Sequence, residues 1–329
     1  MNEIRDILGS CHFFGDYGLM GTDLLNDGAD SLLGLGSRAI KVAFHGDAMQ
    51  GYYSVNSEWL IVDNMVDLGK APYFRELFSK PFSTIVLMAY SPGREIFYFL
   101  KGMTADDVEW EYRMVYDLTV YLLTEYKGSG KTFIYTNWEG DWTLTPPMTP
   151  TTPIPSKKPD AVGIKGMIDW LNTRQNAVDQ ARKDVGMDNV IVAHAAEVNL
   201  IDRAMKGEST ATNDVVPYTH CDLYSYSAWD TLCGDKERFA PALNYLASKA
   251  PDSELFGHKN VYIGEFGAPI SDYGIDGQLE ITQYAIESAL DWGVQYAFYW
   301  VVYDQNYGLF LPDGSKTPAC EYIEKKLKG

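Results

Sequence analysis

The amino-acid sequence predicts an α/β fold, a single (β/α)₈ TIM barrel spanning residues 1–329. Three observations predict it. Short β-branched or aromatic runs alternate with longer segments of helical period, which is the pattern of parallel βαβ units. Eight such runs occur, the number that closes a barrel. The chain has 329 residues, 46% of them hydrophobic and 14% aromatic, enough for one barrel of about 250 residues with insertions. That length also fits two domains of roughly 150 residues, but no linker and no internal repeat divides the chain.

The first run, near Ser10–Phe14, is the weakest. The other seven are Ala39–His45, Thr84–Tyr90, Thr132–Trp138, Val190–Ala195, Cys221–Tyr226, Asn260–Glu265 and Tyr296–Val302. Between them, Val108, Val115, Leu118 and Leu122 form one apolar helical stripe. Ile164, Met167, Ile168, Leu171, Val178, Ala181 and Val185 form another, so both faces pack against the barrel wall. Asp106 and Asp107 at one helix start, and Lys183 near another helix end, suit the helix dipole. The segment 146–159 carries prolines at 146, 147, 150, 153, 155 and 159. It can be neither a helix nor a central strand, and reads as an extended surface loop after the fourth strand.

Composition removes several function classes. Against 45 acidic residues stand 27 Lys and Arg, a net charge of −18 without a basic cluster to reverse it locally, so nucleic acid is excluded as a partner. The longest apolar run, Tyr296 to Tyr303, falls well short of the 18 or so residues that span a bilayer. Residues 1–20 lack the basic start and apolar run of a signal peptide, which leaves a cytoplasmic chain or an exported one whose signal is already removed. Cys11, Cys221, Cys233 and Cys320 have no zinc-site spacing and read as free thiols, although Cys221 and Cys233 could close a short loop in an oxidising compartment. No HxH, HExxH, GxSxG or GxGxxG occurs, so no metal or cofactor is expected and serine-hydrolase and nucleotide chemistries fall away. No protein partner is evident.

In a barrel of this kind the active site lies where strands end at their C-terminal side. The polar residues there are His45 and Asp47 on the second strand; Asn137, Glu139 and Asp141 on the fourth; His194 on the fifth; Tyr224 and Tyr226 on the sixth; Glu265 on the seventh; Trp300 and Asp304 on the eighth. Glu265 closes an apolar strand between Gly264 and Gly267. A buried carboxylate is costly unless paired, and glycines let other groups approach the backbone. Glu139 ends the fourth strand among aromatic residues. Two carboxylates facing each other across one mouth are what retaining glycoside hydrolysis requires, one protonated to serve the leaving oxygen and one ionised to attack the anomeric carbon. Trp138, Trp142, Trp229 and Trp300 stand at or just beyond strand ends, where indole rings can stack on the C–H faces of sugars. His194 is a candidate hydrogen-bond donor in the cleft.

On these residues the sequence resembles clan A of the retaining glycoside hydrolases, (β/α)₈ barrels that include many cellulases, mannanases and xylanases. The resemblance implies Glu139 as acid/base after the fourth strand and Glu265 as nucleophile after the seventh. Gly264-Glu265-Phe266-Gly267 is similar to the clan's nucleophile motif, Tyr299-Trp300 resembles its sugar platform, and Tyr224 is placed like the tyrosine that hydrogen-bonds the nucleophile. The likeness lies in strand order and short motifs from about residue 10 to 310. It departs at Trp138, which separates Asn137 from Glu139 where the clan has Asn directly before the acid. Asn137 therefore either regains that geometry through a bulge or does another job, and Asp141 and Glu197 are alternative acids. The implied function is double-displacement cleavage of β-glycosidic bonds in a plant or microbial polysaccharide, endo-acting, with Asn137, Trp138, Trp142, His194, Tyr224, Trp300 and Asp304 around the sugar. A non-catalytic carbohydrate-binding barrel, or a transglycosidase using the same two glutamates, are the alternatives.

Overall fold

The strands are β1 (Leu8–His12), β2 (Ala39–His45), β3 (Thr84–Tyr90), β4 (Thr132–Thr136), β5 (Ile191–Val198), β6 (Leu223–Ser227), β7 (Val261–Phe266) and β8 (Ala297–Tyr299). In this computed structural model, which describes residues 3–15, 23–46, 48–54, 56, 59, 61–145 and 158–329, they pair in sequence order. Every pair is parallel, and β8 closes on β1. The expected barrel is the one observed. Its strands are buried from end to end, apart from the first residues of β4 and β5, because helices cover the outside and side chains fill the inside.

The helices predicted from their apolar stripes run over Ala105–Glu125 and Ala161–Val185. The first is opened by a capping box in which Thr104 and Asp107 satisfy each other's backbone N–H, with Asp106 and Asp107 at the positive end of the dipole. The second is capped by the Asp160 side chain, which accepts from the Gly163 N–H. Asp47 and residues 146–157, most of the proline-rich segment, lie outside the described residues. All four cysteines are free. Among the described residues no helix is long and apolar enough to cross a membrane.

Only β2 and β3 have the expected limits; β1 runs two residues earlier, β7 one residue later and β8 stops at Tyr299 rather than Val302, and the differences in β4, β5 and β6 bear most directly on the site. β4 stops at Thr136, so Asn137, Trp138 and Glu139 belong to the connection that follows. β5 runs past Ala195 to Val198 and takes in Glu197. β6 runs to Ser227. In β7 the register slips by one residue against both neighbours: Ile263 and Glu265 face the consecutive Tyr226 and Ser227 of β6, and Ile263 and Phe266 face Ala297 and Tyr299 of β8. The extra residue is a bulge that re-aims the side chain next to it.

Candidate active site

Strand alternation sends Lys41 of β2, Glu197 of β5, Ser225 and Ser227 of β6 and Glu265 of β7 into the barrel interior, where they meet. Lys41 is fully buried. Its ammonium donates to Glu197 Oε2 at 2.7 Å, Glu265 Oε1 at 3.1 Å and the Gly264 carbonyl at 3.3 Å, so all three N–H bonds are used. Ser225 Oγ donates to the same Glu197 oxygen at 2.7 Å. Gly264 is required here, because a Cβ on it would stand 2.1 Å from both Glu197 Oε2 and Ser225 Oγ.

Above this layer sit the two predicted glutamates. Ser227 Oγ lies 2.7 Å from Glu139 Oε1 and 3.1 Å from Glu265 Oε2. Those two legs together cap the separation of the two carboxyl oxygens at 5.8 Å. Trp229 Nε1 also donates to Glu265 Oε2, at 3.2 Å. A serine hydroxyl has one hydrogen and can give it to only one of its two neighbours, so the other must supply a proton of its own. Glu265 already accepts from Lys41 and Trp229, which makes it the carboxylate and Glu139 the acid. The electrostatics agree: burial first, then the Glu265 charge, push the Glu139 carboxyl well above its ordinary range. Burial drives the Glu197 carboxyl upward as well, opposed chiefly by Lys41. The Lys41 ammonium is held well above its usual range by Glu197 and Glu265, which outweigh its desolvation.

The other predicted residues divide into those at the mouth and those turned elsewhere. Trp138 is half-buried at the mouth, its backbone N–H donating to Tyr90 Oη at 2.8 Å. Trp142 is half-buried on the short helix Gly140–Leu144. Trp300 is half-buried against Phe13 and Phe14, with ring centroids 5.2 and 5.8 Å away. Asp304 accepts the N–H groups of Asn306 and Tyr307 at 2.7 and 2.8 Å, shaping the loop whose Tyr307 stands edge-on to Trp229.

Asn137 does not reach toward a sugar. Its amide oxygen accepts the Glu197 N–H at 2.8 Å and its amide nitrogen donates to the Glu197 carbonyl at 3.0 Å, pinning β5 to the chain leaving β4. Tyr224 is turned away from Glu265, since its odd-numbered neighbours Ser225 and Ser227 face inward; its hydroxyl lies 3.1 Å from Thr219 Oγ1. Ser227 and Trp229 hold the nucleophile candidate in its stead. His194 has the opposite parity to Glu197 and sits in the wall behind the barrel. Burial and then the Arg174 charge push its imidazole well below its usual range, and neither ring nitrogen has a hydrogen-bond partner among the described residues.

Of the alternative acids, Asp141 accepts three backbone N–H groups, from Ala211 at 2.7 Å, Asn199 at 3.0 Å and Leu200 at 3.1 Å, and is committed to holding loops together. Glu197 lies beneath Glu139, fully buried. The sequence reading did not single out Lys41, Ser225 or Ser227. A lysine in the middle of the apolar run Ala39-Ile-Lys-Val-Ala-Phe is itself a signal, because an ammonium there must have buried anions to meet it.

Among the described residues no group of three or more His, Cys, Asp or Glu side chains is arranged to hold a metal ion. A cavity of about 630 Å³ opens at the other end of the barrel, lined by Asp179, Arg182, His220 and Asp222 among others. Arg182 is there paired with both aspartates.

No family model and no curated protein matches the sequence. Solved structures do match in fold. A GH5_18 variant from Streptomyces cattleya, in complex with Manβ1-4GlcNAc, is 14% identical with a TM-score of 0.61, the match covering 98% of this chain and 80% of that one. A broad-specificity GH5-4 endoglucanase from Clostridium longisporum is 13% identical with a TM-score of 0.58, covering 99% and 97%. A Bacteroidetes-affiliated GH5 cellulase linked with a polysaccharide utilization locus is 10% identical with a TM-score of 0.57, covering 99% and 90%. At such identities the likeness is one of fold, and it extends over nearly the whole chain.

Proposed function

We propose that the chain is a retaining glycoside hydrolase that cleaves β-glycosidic bonds, with Glu139 as acid/base and Glu265 as nucleophile. The observation that carries this reading is the single hydroxyl of Ser227 touching both carboxyls and holding the facing oxygens within 5.8 Å. Retaining enzymes hold their two carboxyl groups about 5–5.5 Å apart so that the second carboxylate can attack the sugar directly, whereas inverting enzymes leave about 6.5–9.5 Å for a water; two carboxyls bridged by one hydroxyl support the closer arrangement. Neighbours in fold bound to Manβ1-4GlcNAc and to cellotriose support a β-linked oligo- or polysaccharide as substrate.

The chemistry follows from the protonation states. Glu139 gives its proton to the glycosidic oxygen as the Glu265 carboxylate attacks the anomeric carbon; the C–O bond to the leaving sugar breaks and a glycosyl ester forms. Glu139, now ionised, takes a proton from water. The resulting hydroxyl adds to the anomeric carbon, the ester bond breaks, and Glu265 returns as carboxylate with the anomeric configuration retained. Lys41 and Trp229 donate to the Glu265 carboxylate, and the half-buried indoles of Trp138, Trp142, Trp229 and Trp300 offer stacking faces for more than one sugar ring, which supports endo action.

The test is release of new reducing ends from soluble β-glucans, mannans and xylans. Glu265→Ala is expected to lose on the order of 10⁴-fold or more in kcat. Glu139→Ala should lose about 10²–10⁴-fold on polysaccharide while sparing aryl glycosides with good leaving groups, which need little acid assistance. Oligosaccharide binding without product, or wild-type rates in both variants, would overturn the assignment.

A further inference from the structure

Five polar contacts close into a ring around the barrel axis. The Glu139 N–H points at Glu197 Oε1 at 3.4 Å, Lys41 bridges Glu197 Oε2 and Glu265 Oε1 at 2.7 and 3.1 Å, and Ser227 joins Glu265 back to Glu139. Both proposed catalytic carboxyls are members, and the remaining charged members, Lys41 and Glu197, are fully buried behind them. Neither can touch a substrate. Lys41 on one carboxyl oxygen of Glu197 and the Glu139 N–H on the other can only donate, and Ser225 adds a hydroxyl at 2.7 Å. An ammonium and a backbone N–H on its two oxygens favour the carboxylate form of Glu197.

We propose that Glu197 and Lys41 are positioning residues: Lys41 aims Glu265 and Glu197, ionised beneath the site, aims Lys41, fixes the Glu139 backbone and keeps a proton on Glu139 by its charge. The inference rests on the function proposed above for what the pair positions. A buried ammonium with one carboxylate would form a closed pair. With two, Lys41 compensates only half the negative charge, and the surplus falls on whichever carboxyl lacks a cation, which is Glu139. Glu197 accordingly raises the Glu139 carboxyl and Lys41 lowers it. The other titratable groups facing the cluster are Cys11 from β1, Tyr90 from β3 and Tyr262 from β7; burial pushes each of them upward, which keeps them neutral.

The experiment is carbon-13 NMR of glutamate carboxyls in the unliganded full-length protein, with Glu139→Gln, Glu197→Gln and Glu265→Gln giving the assignments. In the wild type, at about pH 7, Glu197 should show a carboxylate shift and Glu139 a protonated one. Glu197→Gln should move the Glu139 titration down and Lys41→Met should move it up, each by roughly half a pH unit or more. Where Lys41→Met does not fold, the wild-type shifts and the isosteric Glu197→Gln still decide. On a cleaved glycan, Glu197→Gln should lower kcat about tenfold or more with KM within about twofold, and Lys41→Arg should recover more rate than Lys41→Met. A proton on Glu197 in the wild type, or a Glu139 titration that Glu197→Gln leaves unmoved, overturns the inference. Absence of cleavage on every glycan overturns the proposed function alone, because the carboxyl titration is read without turnover.

Discussion

On the assignment proposed above, Ser227 is the residue on which the chemistry turns, because one hydroxyl serves two carboxyls with opposite duties. Ser227 gives its single hydrogen to the Glu265 carboxylate and accepts the one on Glu139, and that second bond is lost when Glu139 ionises, so Ser227 holds Glu139 in its protonated form. The sign of a substitution follows. In Ser227→Ala the Glu139 carboxyl should fall, and the alkaline limb of the kcat/KM profile, which reports loss of that proton, should move to lower pH. The rate at the optimum should fall about tenfold as Glu265 loses a donor. A limb that moved up would show that the hydroxyl favours the ionised form. Asp230 gives a second pH signature. Burial raises its carboxyl to about 7 from 3.8, against hydrogen bonds from the Tyr226 hydroxyl and the Asp202 N–H. A raised acid contributes stability that is complete below about pH 3.8 and lost as pH climbs through about 7. The Tm of Asp230→Asn relative to wild type should therefore increase between about pH 5 and pH 8.

At the scale of the element, β7 carries the most constraint. Its bulge and Gly264 let Glu265 turn upward while Glu197 and Ser225 press against the backbone below. Gly264→Ala should cost about 1–3 kcal/mol by overpacking, lower the Tm by several degrees and reduce activity together with it. An unchanged Tm would mean that β5 and β6 can give way. The strands were legible in the sequence because parallel strands buried on both faces are continuous apolar runs, and Ala39–His45 and Thr84–Tyr90 have the observed limits. Glu139 and Glu265 were legible as acids at apolar strand ends. What escaped was polar residues inside strands. β5 and β6 continue through Glu197, Ser225 and Ser227 only because partners from other strands satisfy them, and those partners lie 156 residues away for Lys41 and Glu197. The spacing that matters there is spatial. Tyr224 and His194 were placed at the right height and on the wrong face, since a pattern match does not fix parity.

For the molecule as a whole, the charge of −18 would select among the glycans proposed as substrates. Neutral polysaccharides feel no net field, while polyanionic ones are repelled at low ionic strength. Raising salt from about 20 to 200 mM should change kcat/KM on a neutral glycan by less than about twofold. A strong salt dependence on the best substrate would point to a charged one.

The bond from the Trp229 indole to Glu265 also makes the protein its own optical reporter. An indole N–H tied to a carboxylate changes its emission when that bond is lengthened or its acceptor is consumed. Formation of a glycosyl ester on Glu265 would remove the negative charge facing the ring. The difference in fluorescence between wild type and Trp229→Phe isolates this one indole from the other seven, so stopped-flow traces could time the covalent step without any label on the sugar.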